Sequence, residues 1–224
     1  GKKCTVPLEA CCSFGRSAEY LIRHKLARPV DKREMLDSLA RAQELGLMLN
    51  GDNVKRNVEY ICQCCSCCCN LIKSINKFGY RGILVTSGLL PVINKDLCKR
   101  CGKCVQACPV RAISIKKPEE KDFLPQIDQE SCLGCTICQH TCKQKAIFMG
   151  KSDKKVIYPE DGLEKYILSC TERETLQNLL FDNPQSITHE FLRTFLGVFL
   201  RLQPVKRVLL SDVFRSRFLK VVKG

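Results

Sequence analysis

Eight cysteines fall into two copies of one spacing, and this constrains the chain more than any other feature. Cys98, Cys101, Cys104 and Cys108 read C-x2-C-x2-C-x3-C, followed by Pro109; Cys132, Cys135, Cys138 and Cys142 repeat the pattern, followed by Lys143. Three thiolates two residues apart on a tight loop can wrap one iron–sulfur cubane, and the fourth, three residues further on a short helix, reaches a second one. By that rule one cluster takes Cys98, Cys101, Cys104 and Cys142, and the other takes Cys132, Cys135, Cys138 and Cys108. Backbone N–H groups of such loops can hydrogen-bond the sulfides and hold an anionic cluster. A pair of zinc sites needs only two C-x2-C halves each, which leaves the third and fourth cysteine of each copy unexplained.

The flanking sequence repeats as well. PVINKDLCKRCGKCVQACPVRAISI is echoed by PQIDQESCLGCTICQHTCKQKAIFM, each reading strand, cysteine loop, short helix, strand, with the polar loop KKPEEKDFL between them. Residues 92–150 resemble the bacterial two-cluster ferredoxins. The resemblance implies a β-α-β-β-α-β core around two [4Fe-4S] clusters and one-electron transfer at low potential. It covers roughly a quarter of the chain, and its eight-cysteine pattern is highly specific. Lys143 stands where that family has proline. It adds a charge and an N–H beside the first cluster, and is expected to bear on that cofactor by raising its potential.

Six of the nine residues in ICQCCSCCC at 61–69 are also cysteine. In a helix, Cys62, Cys65 and Cys69 would share one face, and Cys64 and Cys68 another. In a loop entering a helix, several thiolates would gather near a helix N-terminus, which lowers thiol pKa and suits an anion. Cys4, Cys11 and Cys12 lie upstream. A third iron–sulfur cluster is expected from Cys11, Cys12, Cys62, Cys64, Cys65, Cys67, Cys68 and Cys69. The alternatives are vicinal redox thiols, a zinc site, and buried structural cysteines for one or two members. PLEACCSFG, a helical ELGLML stretch and this run, followed by a dicluster module, resemble a group of ferredoxin-domain proteins from anaerobic microbes. That resemblance treats Cys11 and the run as one unit.

Composition agrees with metal rather than disulfides. The chain has 18 cysteines among 224 residues. Setting them aside leaves an apolar share of about 37%, lean for a fold stabilised by burial alone. The first residues carry no apolar signal core, and no run of about 18 apolar residues could cross a bilayer. Crowded thiols in repeated sets are hard to bridge with one another. A reducing cytoplasm is therefore expected. The formal net charge is +14, and each thiolate-bound cubane adds about −2 overall, so the protein stays basic. A redox partner with an acidic surface follows, and nucleic acid does not, since aromatics are 7% with no Trp and no binding motif occurs. No G-x-G-x-x-G follows a strand, so no nucleotide site is indicated.

Asp31 can cap a helix, with Glu34 completing a capping-box pattern and apolar residues continuing to Leu45. The turn NGDN at 50–53 would close that element. Short strands are expected at 58–61 and 82–87, and helices at 17–28, 69–78, and near 162–181, 186–203 and 205–222. HEFLRTFLGVFLRL is apolar nearly all round, and the last segment adds Lys206, Arg207, Arg215, Arg217, Lys220 and Lys223 to an apolar stripe. Packing inside the protein is one reading, and peripheral contact with an anionic membrane through the basic helix is another. His140 reads as an exposed loop residue and Cys170 as a buried thiol.

The expected fold class is α+β: a ferredoxin-like core at 92–150 between a Cys-rich, mainly helical region at 1–91 and a linker with basic helices at 151–224. The expected function is iron–sulfur electron transfer. Its alternatives are a redox enzyme whose Cys-rich site reduces a substrate or disulfide, and an iron–sulfur scaffold or sensor.

Overall fold

A computed structural model describes residues 4–7, 9–79, 84–115, 123–154, 156–183 and 185–209. These divide into two compact units, one of residues 1–52 and 58–157, the other of 53–57 and 158–224.

The first unit begins with β1 (Cys11–Ser13), α1 (Gly15–Arg23), α2 (Lys32–Glu44), β2 (Met48–Gly51), β3 (Tyr60–Cys64) and α3 (Asn70–Phe78). The strands form an antiparallel sheet in the order β1-β3-β2. Asp31 caps α2, its Oδ1 accepting the Glu34 N–H at 2.8 Å. The Glu34 carboxylate turns to Arg28 instead of back to the cap. The helix does not run on to the NGDN turn. Gly46 takes a left-handed φ of 65°, and the Leu47 N–H bonds back to the Ala42 carbonyl at 2.9 Å. That pair of features is a Schellman stop. It swings Leu47 and Met48 into the core, so ELGLML is a helix end leading into β2 and Asn50 and Gly51 are strand residues.

The cysteine run is not helical either. β3 carries Cys62 and Cys64, residues 65–69 turn, and Cys69 is the N-cap of α3. α3 ends at Gly79, whose φ of 68° only glycine adopts easily. Of the strand expected at 82–87, residues 82 and 83 lie outside the described residues, and 84–87 are irregular.

The repeat supplies β4 (Leu89–Ile93), α4 (Lys103–Ala107), β5 (Ile113–Ser114), β6 (Gln126–Ile127), α5 (Ile137–Thr141) and β7 (Ile147–Lys151). β4 pairs antiparallel with β7, and β5 with β6. The class is therefore α+β, mixing helices with small antiparallel sheets. One core cluster joins both halves of this unit: Met48, Ile72 and Ile75 pack with Val110, Ala112 and Ile137. A second, built on Ile113, Cys138 and Ile147, lies within the repeat.

The second unit holds α6 (Gly162–Glu172), α7 (Leu176–Leu180), α8 (Ile187–Arg201) and α9 (Gln203–Leu209). The single helix expected at 162–181 is broken at Glu174, where φ is 60°. Ile167, Cys170 and Leu176 form its core, so Cys170 is a buried thiol. α8 leaves Ile187, Phe191 and Phe195 exposed at 85%, 69% and 66%, a stripe along one face. Arg215, Arg217, Lys220 and Lys223 of the expected basic helix lie outside the described residues. No helix among the described residues is long and apolar enough to cross a membrane.

Candidate metal centres

The two cysteine loops are built by the same local devices, 34 residues apart. Asn94 opens the first: its Oδ1 accepts the N–H groups of Asp96 and Leu97, and its carbonyl accepts the Cys98 N–H at 3.1 Å. Asp128 opens the second in the same way, with Glu130, Ser131 and Cys132 as donors. Such Asx turns fix the chain just ahead of the first cysteine. Left-handed residues then recur in register: Arg100 with Gly134, Gly102 with Thr136, and Arg111 with Lys145. Left-handed residues in a loop of this kind turn backbone N–H groups inward, making a concavity for an anion.

At Gly134 a side chain is excluded. Its φ is 66°, and an added Cβ would collide with Ser87 Oγ and the Leu89 carbonyl. Ser87 Oγ donates to the Gly134 carbonyl at 2.9 Å, pinning segment 84–89 to the loop.

Each loop faces a cavity that takes one cysteine from the other repeat. Cys98, Cys101, Cys104 and Cys142 line one, together with Lys99 and Lys103. Cys132, Cys135, Cys138 and Cys108 line the other, whose remaining walls among the described residues are uncharged. Among the described residues neither cavity presents a carboxylate or an imidazole. Four soft sulfur donors without hard competitors fit a thiolate-bound iron–sulfur cluster.

Four of these thiols are shifted toward the protonated form in the metal-free chain. Burial raises Cys104 and Cys132, pushes Cys135 up to about 11 and Cys138 up to about 12, and the neighbouring thiols of the same cavity add to it. Opposing this, backbone N–H groups of Val105, Gly134, Ile137 and Gln139 bond to these sulfurs, and the Ala112 N–H reaches Cys108 Sγ at 3.2 Å. A cation reverses the balance, because it favours the thiolate that burial disfavours.

The opening run divides into two sets. In the antiparallel ladder Cys11 lies opposite Cys62, and Cys64 is two residues along the same strand, so all three share one face of the sheet. Cys69, at the start of α3, returns to them and hydrogen-bonds Cys64. Burial raises the Cys64 thiol first, and the bond to Cys69 adds to that. Cys12 pairs with Ile61 and belongs to the opposite face. There it accepts from Gln63 Nε2 at 3.7 Å, while the same nitrogen donates to Ser38 Oγ at 2.9 Å.

Cys65, Cys67 and Cys68, from the turn, meet Cys4. The sulfur separations are 3.7 Å for Cys4–Cys65, 3.6 Å for Cys4–Cys68, 3.5 Å for Cys65–Cys67 and 3.6 Å for Cys67–Cys68. All four sulfurs lie within 4.8 Å of one another, the one such group of ligand atoms among the described residues. The Cys67 thiol donates to Cys65 Sγ, and this bond, with those it shares with Cys4 and Cys68, favours its protonated form and pushes it up to about 12. Cys4 was absent from the set expected to ligate. Counting alone does not find it: two sets of four need two upstream thiols, and Cys4, Cys11 and Cys12 offer three, so only the strand register and the fold choose Cys4 and Cys11 over Cys12.

The remaining candidates are peripheral. Lys143 is exposed directly after Cys142. His140 sits on α5 with its ring 3.1 Å from Gln43 Nε2.

The doubled thiol cavities on an α+β scaffold are those of a ferredoxin-type iron–sulfur module. Residues 97–146 match the family model of the 4Fe-4S dicluster domain. No curated protein and no solved structure matches the chain.

Proposed function

We propose that this is an electron-transfer protein with two [4Fe-4S] clusters in the repeat and a third held by Cys11, Cys62, Cys64 and Cys69. When bound, such clusters exchange one electron each. Cys98, Cys101, Cys104 and Cys142 hold the first, and Cys108, Cys132, Cys135 and Cys138 the second. The loop N–H groups offset sulfur charge, and the largely apolar walls of the second cavity limit water there. Both tune a potential.

The observation that carries the three-centre reading is a shared core. Cys64 and Cys69 pack against the same apolar cluster as Cys108, Cys132 and Cys135. The run and the second cavity thus back onto one apolar core, which favours their belonging to one redox chain. The positive net charge favours a redox partner with an acidic surface. The exposed stripe on α8 and the basic segment after it suit peripheral contact with that partner or an anionic membrane. The cytoplasm of an anaerobe is the proposed setting, since thiols this dense survive there reduced.

Iron and acid-labile sulfide counts on the anaerobically purified full chain test the reading. About twelve of each per chain fit three cubanes, and about eight remove the third. Cys108→Ser should disturb the EPR signal of the cluster whose other three ligands lie on the second loop. A change confined to the first-loop cluster would overturn the crossed assignment.

A further inference from the structure

We infer that Cys4, Cys65, Cys67 and Cys68 form a mononuclear tetrathiolate site for one thiophilic divalent metal ion, zinc or iron, separate from every cluster. The argument is one of distances. A metal with four sulfurs at about 2.3 Å in a tetrahedron sets those sulfurs about 3.8 Å apart. Four of the six separations, 3.5–3.7 Å, match that edge, and the other two lie within 4.8 Å. A cubane attaches each thiolate to a different iron at a different corner, which spreads the four sulfurs much more widely. The cysteines of the two loop cavities form no group as tight as this one. Disulfides do not account for it either, because an S–S bond is about 2.05 Å long.

The local chain explains how one short run serves two purposes. Extended backbone ends at Cys64. The Cys69 N–H bonds to the Cys65 carbonyl at 3.2 Å, closing a single turn. That turn carries Cys65, Cys67 and Cys68 to one side, while Cys62, Cys64 and Cys69 stay with Cys11. Cys4 closes the set from a segment 61 residues before Cys65. A metal there would tie the chain ahead of β1 to the turn that leads into α3.

The test uses the full chain, purified anaerobically, with zinc, iron and acid-labile sulfide measured together. The parent protein should carry one metal ion in excess of the iron that matches sulfide one to one. Cys4→Ser and Cys67→Ser should each lose that single equivalent, with sulfide unchanged. Cys12→Ser, on the other face of the sheet, should retain it. Cys4→Ser lies ahead of the first strand, so unaltered cluster EPR signals would report an intact fold. X-ray absorption at the zinc edge should give four sulfurs at about 2.3 Å. If the ion is iron, a high-spin ferric signal after oxidation should replace the zinc edge. Loss of iron and sulfide together in Cys4→Ser would overturn the inference, as would a parent protein with no excess metal. Failure of the proposed third cluster would appear differently, as a lower iron and sulfide count with the excess ion still present.

Discussion

Cys11 stands directly opposite Cys62 in the antiparallel ladder, and its neighbour Cys12 stands opposite Ile61. Adjacent cysteines therefore face opposite sides of one sheet. Cys11→Ser should remove about four iron and four sulfide per chain, while Cys12→Ser should leave both counts unchanged. Equal losses from the two variants would mean that the strand register does not decide which thiol binds.

Charge separates the two cavities of the repeat. Lys99 and Lys103 line the first, and no charged side chain among the described residues lines the second. A cation favours the more negative, reduced state of a nearby cluster. Lys99→Glu combined with Lys103→Glu should lower the potential of the first cluster by on the order of tens of millivolts and barely move the second. EPR-monitored redox titration reads both.

Gly134→Ala places a Cβ on a left-handed residue and against Ser87 and the Leu89 carbonyl. The collision is with backbone as well as side chain, so it is not relieved by a rotamer change. The cost should be about 1–3 kcal/mol or more. The expected readout is a lower thermal midpoint and preferential iron loss from the second cavity. Gly102→Ala, with only the Ile115 side chain at 3.7 Å, should be milder.

Ile72 is fully buried where α3 meets Val110, Ala112 and Ile137. Ile72→Ala should cost about 2–5 kcal/mol. Because that core backs both the run and the second loop, cluster content should fall at both places, measured as iron per chain. A fragment of residues 92–150 alone would expose this face, and should lose its iron faster than the full chain does.

The chemistry of the repeat was legible because spacing is a local property. Three thiols on a tight loop and a fourth on a short helix follow from positions along the chain. The opening run was not legible in the same way. Its division depends on Cys11 pairing with Cys62 and on Cys4 meeting Cys68, contacts across 51 and 64 residues. Nothing in local spacing encodes a strand register. The same limit explains the helix reading of ELGLML: apolar periodicity ran past Leu45, but the left-handed Gly46 ended it. The break at Glu174 was hidden too, since a non-glycine left-handed residue leaves no compositional mark.

Each cavity of the repeat borrows one wall from its twin, Cys142 in one direction and Cys108 in the other. Neither centre can then be completed while the opposite loop is still unformed. Filling one draws the short helix of the other repeat into place and lowers the entropy lost when the second is filled. Metal loading should therefore be cooperative, with half-filled chains scarce at every iron concentration, so that a maturation system would meet empty or complete molecules and few in between.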